Sequence, residues 1–354
     1  MRIVVAMSGG VDSSVAAAQL VTAGHEVIGL SMQLYDQEPH EPAFGGCCSH
    51  EDLHDARRVA ALLDIPHYTV NFKEEFDAAV VAPFAREYAS GRTPIPCVKC
   101  NGDLKFRHLL ARARALGADR VATGHYARVR PDPTTGGALL LRGLDPLKDQ
   151  SYFLFTLTQT QLSAALFPVG HLRKDDVRDL ARQYDMAVSS KPDSQELCFV
   201  ANGDTAKIVA EREPGVARPG EIRDQLGHNL GGHDGVHRFT VGQRKGLRLS
   251  TSVPLYVLDI DAAKNRLTVG PRAALDRDGL TASRVNWISG TAPSEPLAIT
   301  ARVRHRHPDA PARVESLPGE RVSVTFQDPQ RAIAPGQAVV FYDGETVLGG
   351  GWID

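Results

Sequence analysis

Ser8-Gly9-Gly10-Val11-Asp12-Ser13-Ser14, near the amino end, constrains this chain more than any other stretch. Ile3, Val4 and Val5 before it are β-branched, apolar and too few for a helix, so they read as a buried strand. After it, Val15 to Leu20 reads as a helix that Asp12, Ser13 or Ser14 can cap. Gly24 ends that helix, and Val27-Ile28-Gly29-Leu30 is a second strand. The pattern is a βαβ unit with a glycine turn at the carboxyl edge of its first strand. Gly9 and Gly10 let the backbone approach a ligand, and the helix behind offers unpaired N–H groups and a positive dipole end, which together hold phosphate. Ser8, Ser13 and Ser14 add hydroxyl donors, and Asp12 is a carboxylate for a Mg²⁺ ion bridging phosphates. The turn lacks the Walker lysine and the G-x-G-x-x-G spacing, which excludes the P-loop and the dinucleotide fingerprint.

The alternation of strand and helix continues to about residue 200. Asp55 to Leu63 has helical period, His67-Tyr68-Thr69-Val70 follows Pro66 as a strand, and Phe76 to Tyr88 is a helix. Gly91 to Pro96 is a proline-bearing loop, and Asn101 caps a basic amphipathic helix, Leu104 to Leu116, that Gly117 stops. Asp119 to Thr123 is the next strand and ends at Gly124-His125-Tyr126. These units predict an α/β domain with a parallel, doubly wound sheet whose ligand site lies beyond the strands' carboxyl ends, where the glycine turn, Met32 and Gly124 fall. From 201 helical period disappears and short alternating runs take over, among them 237–241, 255–260, 266–269, 299–303, 321–326 and 338–342. They predict a small β-rich central domain, 201–272, with a mobile start at 201–236, and a carboxyl-terminal β-barrel, 273–354.

The five cysteines are odd in number, and Cys47 and Cys48 are adjacent. That is no disulfide framework, and a reducing cytoplasm is the natural location. The chain enters its first strand without a signal-peptide pattern, and no run reaches membrane-spanning length. With a net charge of −2, nucleic-acid binding has to come from local patches. Three qualify: Lys99 to Arg120, Arg302 to His307, and Arg244-Lys245 with Arg248. Cys97 and Cys100 form a CxxC at a loop-to-helix junction, where the Asn101 cap and nearby Lys99 and Lys105 favour a thiolate at Cys100. A structural zinc site would need a second ligand pair, and a thioredoxin-type site a different strand context. Cys198 lies in another polar stretch. Two reactive thiols far apart in sequence, beside an anion-binding turn, point to sulfur handling.

Ser8 to Ser14 resembles the SGGxDS loop of the PP-loop ATP pyrophosphatases, which split ATP between its α- and β-phosphates. With Pro94-Ile95-Pro96-Cys97-Val98-Lys99-Cys100-Asn101, Thr123 to Ala127, Lys148 to Leu154, Ser190 to Phe199 and Thr240 to Leu247, the chain resembles the tRNA-uridine 2-sulfurtransferases, the 2-thiouridylases of the wobble uridine. The resemblance implies an adenine-nucleotide-hydrolase-like fold with ATP held by Ala6, Met7, Ser8, Gly9, Gly10, Val11, Asp12 and Ser13, Met32 and Gly124 lying near the adenosine, and Mg²⁺ at Asp12. It implies that Cys198 carries a persulfide and Cys100 is the second catalytic thiol. Ile95, Pro96 and Cys97 would line the flipped-out base, while His125, Lys148, Asp149, Gln150, Arg304, His305 and Gln337 would contact tRNA. A cysteine desulfurase or relay protein would supply sulfur to a monomeric enzyme. One departure stands out: much of the family has Asp where this chain has Cys97. Cys97, Cys100 and Cys198 therefore also suit three irons of a [4Fe–4S] cluster, and both routes stay open at this point. Other PP-loop ligases, which need no such cysteines, and a non-catalytic tRNA-binding module are the competing readings.

Overall fold

The computed structural model describes residues 1–35, 50–193, 197–200 and 203–354. Cys47, Cys48, Ser194, Gln195 and Glu196 lie outside the described residues. The amino-terminal part is built on a five-stranded, wholly parallel sheet of β1 (Arg2–Ala6), β2 (Glu26–Gln33), β3 (His67–Asn71), β4 (Arg120–Ala122) and a short last strand, Ala165–Leu166, in the order β3-β2-β1-β4 and then that last strand. Both faces are covered, which is why Ile3, Val4 and Val5 of β1 are all apolar and buried. Ile3 and Val5 enter one core cluster, under the helices Val11–Thr22 and Lys174–Gln183; Val4 enters the other, with Phe76, Cys100 and Leu104. The strand order reverses between β1 and β4, and a doubly wound sheet opens a ligand crevice beyond the carboxyl ends at such a point. The glycine turn and Gly124 flank it.

The hairpin Ala127–Pro131 with Ala138–Arg142, embedded in the stretch read as strand–helix alternation, leaves this sheet altogether. It pairs instead with the carboxyl-terminal barrel through Thr346↔Leu141 and Val347↔Leu140. The barrel has six strands, Asp276–Trp287, Leu297–Arg302, Ala310–Leu317, Arg321–Arg331, Ala338–Asp343 and Thr346–Ile353, and closes where the first meets the last. Between the two parts lies a four-stranded sheet of Gly220–Asp224, Asn229–His233, Tyr256–Asp261 and Arg266–Gly270.

Four sequence expectations are corrected. Pro96, not Asn101, opens the helix that carries the CxxC: Pro96–Lys99, a π-helical stretch Cys100–Phe106 and Arg107–Ala115 run on without a break. Pro fits there because its missing N–H costs nothing in a first turn. Gly10 precedes the Val11 helix with no side-chain cap, and the Ser13 and Ser14 hydroxyls instead donate back to its carbonyl at 3.1 and 2.9 Å. A helix, Thr205–Arg212, forms where no helical period was read, capped by Asp204 and packed through Val209 on Phe84 and Val200. The run at 237–241 is not a strand: Val236–Arg238 makes a 3₁₀ turn that buries His237.

Candidate active site

Two glycines set the shape of the turn at residues 8–14. Gly9 has φ +73°, and a Cβ there would lie 2.1 Å from the Asp52 carbonyl oxygen. Gly124, at the end of β4, rests on the first turn of the Val11 helix, where a Cβ would meet the Ser13 nitrogen at 2.6 Å and the Asp12 carbonyl carbon at 2.7 Å. Two strand ends thus close on one helix start. The Ser8 N–H donates to the Ser13 hydroxyl at 3.2 Å, which fixes the turn before any ligand arrives. Met32, at the end of β2, is buried in the cluster on the other face of the sheet.

Asp12 is the hub of a charged seam that sequence reading missed. Its carboxylate accepts from the Tyr126 hydroxyl at 2.7 Å and from the buried Lys174 ammonium at 2.7 and 2.9 Å. Burial and the Asp12 charge raise the Tyr126 phenol's pKa, so it stays a donor. Lys174 also holds Asp193 at 2.8 Å, and Asp193 is shared by Lys148 at 2.6 Å and Arg178 at 3.1 Å. Two residues earlier, Lys191 reaches under the turn to the Gly9 carbonyl at 3.2 Å, Asp52 at 2.6 Å and Asp55 at 2.5 Å. Residues 189–193, which lead to Cys198, are therefore strapped to the nucleotide turn. Lys191 and Asp193 stood in a quoted motif without assigned roles; Lys174, Arg178, Asp52, Asp55 and the Tyr126 contact carried no sequence signal. For Mg²⁺ the turn offers one carboxylate, Asp12, which suits an ion that keeps waters and phosphate oxygens as its other ligands, once Lys174 yields.

The thiols stand at three depths. Cys97 is exposed in the first helical turn, Cys100 is buried where the π-helical stretch begins, and Cys198 is half-buried. Cys100 belongs to the same apolar cluster as Met32, and Cys198 and Phe199 pack against that cluster. Phe199 stacks edge-on with Phe76 and Phe84, at 5.6 and 5.1 Å between ring centres, and so anchors the chain just after Cys198. Among the described residues no three His, Cys, Asp or Glu side chains converge as a cation site, so the three thiols are not a preassembled cradle for an iron–sulfur cluster.

Residues expected to meet tRNA gather in two places. The His305 ring donates to the Asp149 carbonyl at 3.3 Å and stacks on Phe153 at 4.4 Å, which joins the barrel loop of Arg304 to the 148–150 segment. Gln150 accepts from the Tyr126 N–H at 3.0 Å, one residue beyond His125. The Asp149 side chain turns inward, accepting from Gly143 and Ser151 and facing Arg142 and Arg302. Elsewhere, Gln337 donates to the Thr93 carbonyl at 2.9 Å, and Thr93 bonds Thr240 at 3.1 Å and, through its N–H, the Pro335 carbonyl at 2.8 Å. The loop before Ile95, Pro96 and Cys97 is thus held by both later parts of the chain.

A glycine turn at the switch point of a parallel sheet, without a Walker lysine, defines a nucleotide-binding protein of the PP-loop class. Residues 1–202 match the tRNA methyl transferase HUP domain, 211–271 the tRNA methyl transferase PRC-barrel domain, and 277–353 the aminomethyltransferase beta-barrel domain. The chain is 52% identical over 357 residues to the tRNA-specific 2-thiouridylase MnmA of Geotalea uraniireducens, covering 100% of this chain and 95% of that protein. It is 52% identical over 366 residues to the protein of that name from Solibacter usitatus, at 99% of both chains, and 51% over 353 residues to that of Magnetococcus marinus, at 99% of this chain and 98% of the other. The chain belongs to the tRNA-specific 2-thiouridylase family.

Proposed function

We propose that this protein is an ATP-dependent tRNA sulfurtransferase that replaces the 2-oxygen of the wobble uridine with sulfur. The observation that carries the reading is that Cys100 and Met32 share one apolar cluster, with Cys198 packed against it, across the parallel sheet from the helix that follows the glycine turn. ATP lies along Ala6 to Ser13, with Gly124 against its adenosine side. The uridine O2 attacks the α-phosphate, pyrophosphate leaves, and the turn's N–H groups take up the charge that develops. Mg²⁺ at Asp12, when bound, neutralises phosphate charge. Cys198 brings sulfur as a persulfide made by a desulfurase or relay protein. The Cys100 thiolate attacks the inner sulfur of that persulfide, a Cys100–Cys198 disulfide forms, sulfide departs, adds to C2 of the adenylated uridine and expels AMP. Two equivalents of an external thiol, or one dithiol, then reduce the disulfide to free Cys100 and Cys198, leaving as the external disulfide.

The strap gives Cys198 a fixed approach, between the Asp193 ion pairs and the Phe199 anchor. His125, Lys148, Gln150, Arg304 and His305 bind tRNA along the seam between first part and barrel. Asp149 braces that surface, and Gln337 braces the loop that leads to Ile95, Pro96 and Cys97. Domain divisions near 200 and 272 are supported by the four-stranded sheet within 220–270 and the barrel strands within 276–353, with the 127–142 hairpin reaching across to the barrel's sheet. The test is Cys198→Ser with tRNA, MgATP and a sulfur source. Pyrophosphate release in a first turnover without 2-thiouridine supports the assignment; full thiolation by this variant contradicts it.

A further inference from the structure

Lys99 and Arg284 face one small crevice, whose wall is formed by Pro94, Ile95, Pro96 and Trp352. Neither cation has a hydrogen-bond or carboxylate partner among the described residues. Glu87 also borders the crevice, but its carboxylate is taken by Arg92 at 2.8 Å. Among the described residues, then, these two positive charges in the crevice have no carboxylate paired to them.

Arg284 is placed there by a local irregularity. Ser283 pairs with Trp352 and Asn286 with Gly350, so the first barrel strand spends three steps where its partner spends two. The extra residue is a β-bulge, a device that re-aims a side chain at the rim of a barrel. Arg284 takes φ +52° within it, a left-handed conformation that residues other than glycine seldom adopt. Its guanidinium lies 5.3 Å from the Trp352 ring centre, so the aromatic face holds it by cation–π attraction. A strained, exposed arginine propped on a tryptophan is poorly explained by packing, and such strain collects at ligand clamps. Lys99 sits between Cys97 and Cys100 on the helix that bears both thiols.

We infer that Lys99 and Arg284 clamp a backbone phosphodiester of the RNA strand beside the target uridine. This rests on the tRNA-thiolation reading above. A phosphate gripped there from both sides sets the neighbouring base over Ile95 and Pro96, with its 2-oxygen toward the nucleotide turn. Barrel and catalytic helix then close on one strand, and the barrel becomes part of the active site.

The test measures binding of full-length tRNA to the intact chain as a function of salt. Arg284→Gln and Lys99→Gln should each flatten the slope of log K against log salt by about 1 and weaken binding about threefold to tenfold near 0.1 M salt. Arg284→Lys should keep the slope. An anticodon stem-loop with one neutral methylphosphonate next to the target uridine should lose affinity for wild-type protein and lose nothing further for the double variant. ATP affinity should stay within about twofold, because the pair lies outside the nucleotide turn. Unchanged slopes in both variants overturn the clamp, as does a methylphosphonate penalty undiminished in the double variant. A fall in ATP or pyrophosphate affinity with unaltered tRNA slopes overturns it in favour of a nucleotide-phosphate subsite. Wild-type protein with no salt-dependent tRNA binding overturns clamp and thiolation reading together.

Discussion

Replacing Asp193 by Asn tests whether the strap positions Cys198 or merely decorates the turn. One carboxylate oxygen serves Lys174 at 2.8 Å and Arg178 at 3.1 Å; the other serves Lys148 at 2.6 Å. Asn keeps the shape and one acceptor but turns an NH₂ toward a cation. A charge-assisted hydrogen bond is worth about 1.5–3 kcal/mol, and a side chain still 22% exposed belongs at the low end. Three such contacts do not add independently, so the net loss is about 2 kcal/mol. Lys191 still fastens the strap at Asp52 and Asp55, so the loss falls on local opening rather than on global unfolding. At tenfold per 1.4 kcal/mol, the ratio of placed to displaced Cys198 drops about thirtyfold, the upper bound on the loss of the placed population. The Lys174 contacts to Asp12 remain, so nucleotide chemistry is spared. Asp193→Asn should therefore slow 2-thiouridine formation, read on a mercury-containing gel that retards thiolated RNA, by about tenfold to thirtyfold. Pyrophosphate release in the first turnover should change by less than about threefold. Equal loss in both would mean that Asp193 acts on the nucleotide turn, and no loss in thiolation would mean that the strap does not position the thiol.

Three further outcomes follow from the same geometry. Gly124→Ala drives a methyl into the backbone of the Val11 helix's first turn, where nothing can rotate away, and should weaken ATP binding about tenfold by titration calorimetry, overpacking being worth about 1–3 kcal/mol. Cys100→Ser should retain tRNA-dependent pyrophosphate release and abolish thiolation, whereas a plain PP-loop ligase would keep its full activity. The strap should also respond to pH. Burial pushes the Asp193 and Asp55 carboxyls up, but hydrogen bonds from Lys148 and Lys174, and from Lys191 and Arg58, outweigh it and hold both below the ordinary 3.8. Burial opposes the Lys191 ammonium, yet Asp52 and Asp55 lift it above 10.5. Depressed carboxylates stabilise fully above 3.8 and lose this as pH falls through their folded values; a raised lysine stabilises fully below 10.5 and loses it as pH rises through its folded value. The stability difference between wild type and Lys191→Met, from urea midpoints, should be flat from about pH 5 to 9 and shrink on either side; a steady slope across that range would contradict the ion-pair assignment.

The strand–turn–helix unit around the glycines was legible because its demands are local: strand, glycines and helix follow one another within residues 2–22. The doubly wound sheet and the β-rich carboxyl half were legible for the same reason, since period 2 and period 3.6 need only neighbouring residues. The barrel's claim on the 127–142 hairpin was not, because its partner strand lies some two hundred positions away. The start of the CxxC helix was misplaced because Asn101 looked like a cap, whereas Pro96 suits a first turn better. Lys174 shows the harder limit. In sequence it is one more lysine at a helix start, and only the fold brings it between Asp12 and Asp193. Arg284 likewise became visible only through its bulge and the Trp352 ring beneath it.

The most direct test purifies the protein without air, assays its iron, and then follows AMP and 2-thiouridine together in one reaction with tRNA, MgATP, cysteine and a desulfurase. The account predicts that iron-free protein forms one 2-thiouridine for each AMP. Protein that stays inactive until iron and sulfide are restored, or that releases AMP without thiolating tRNA, would contradict it.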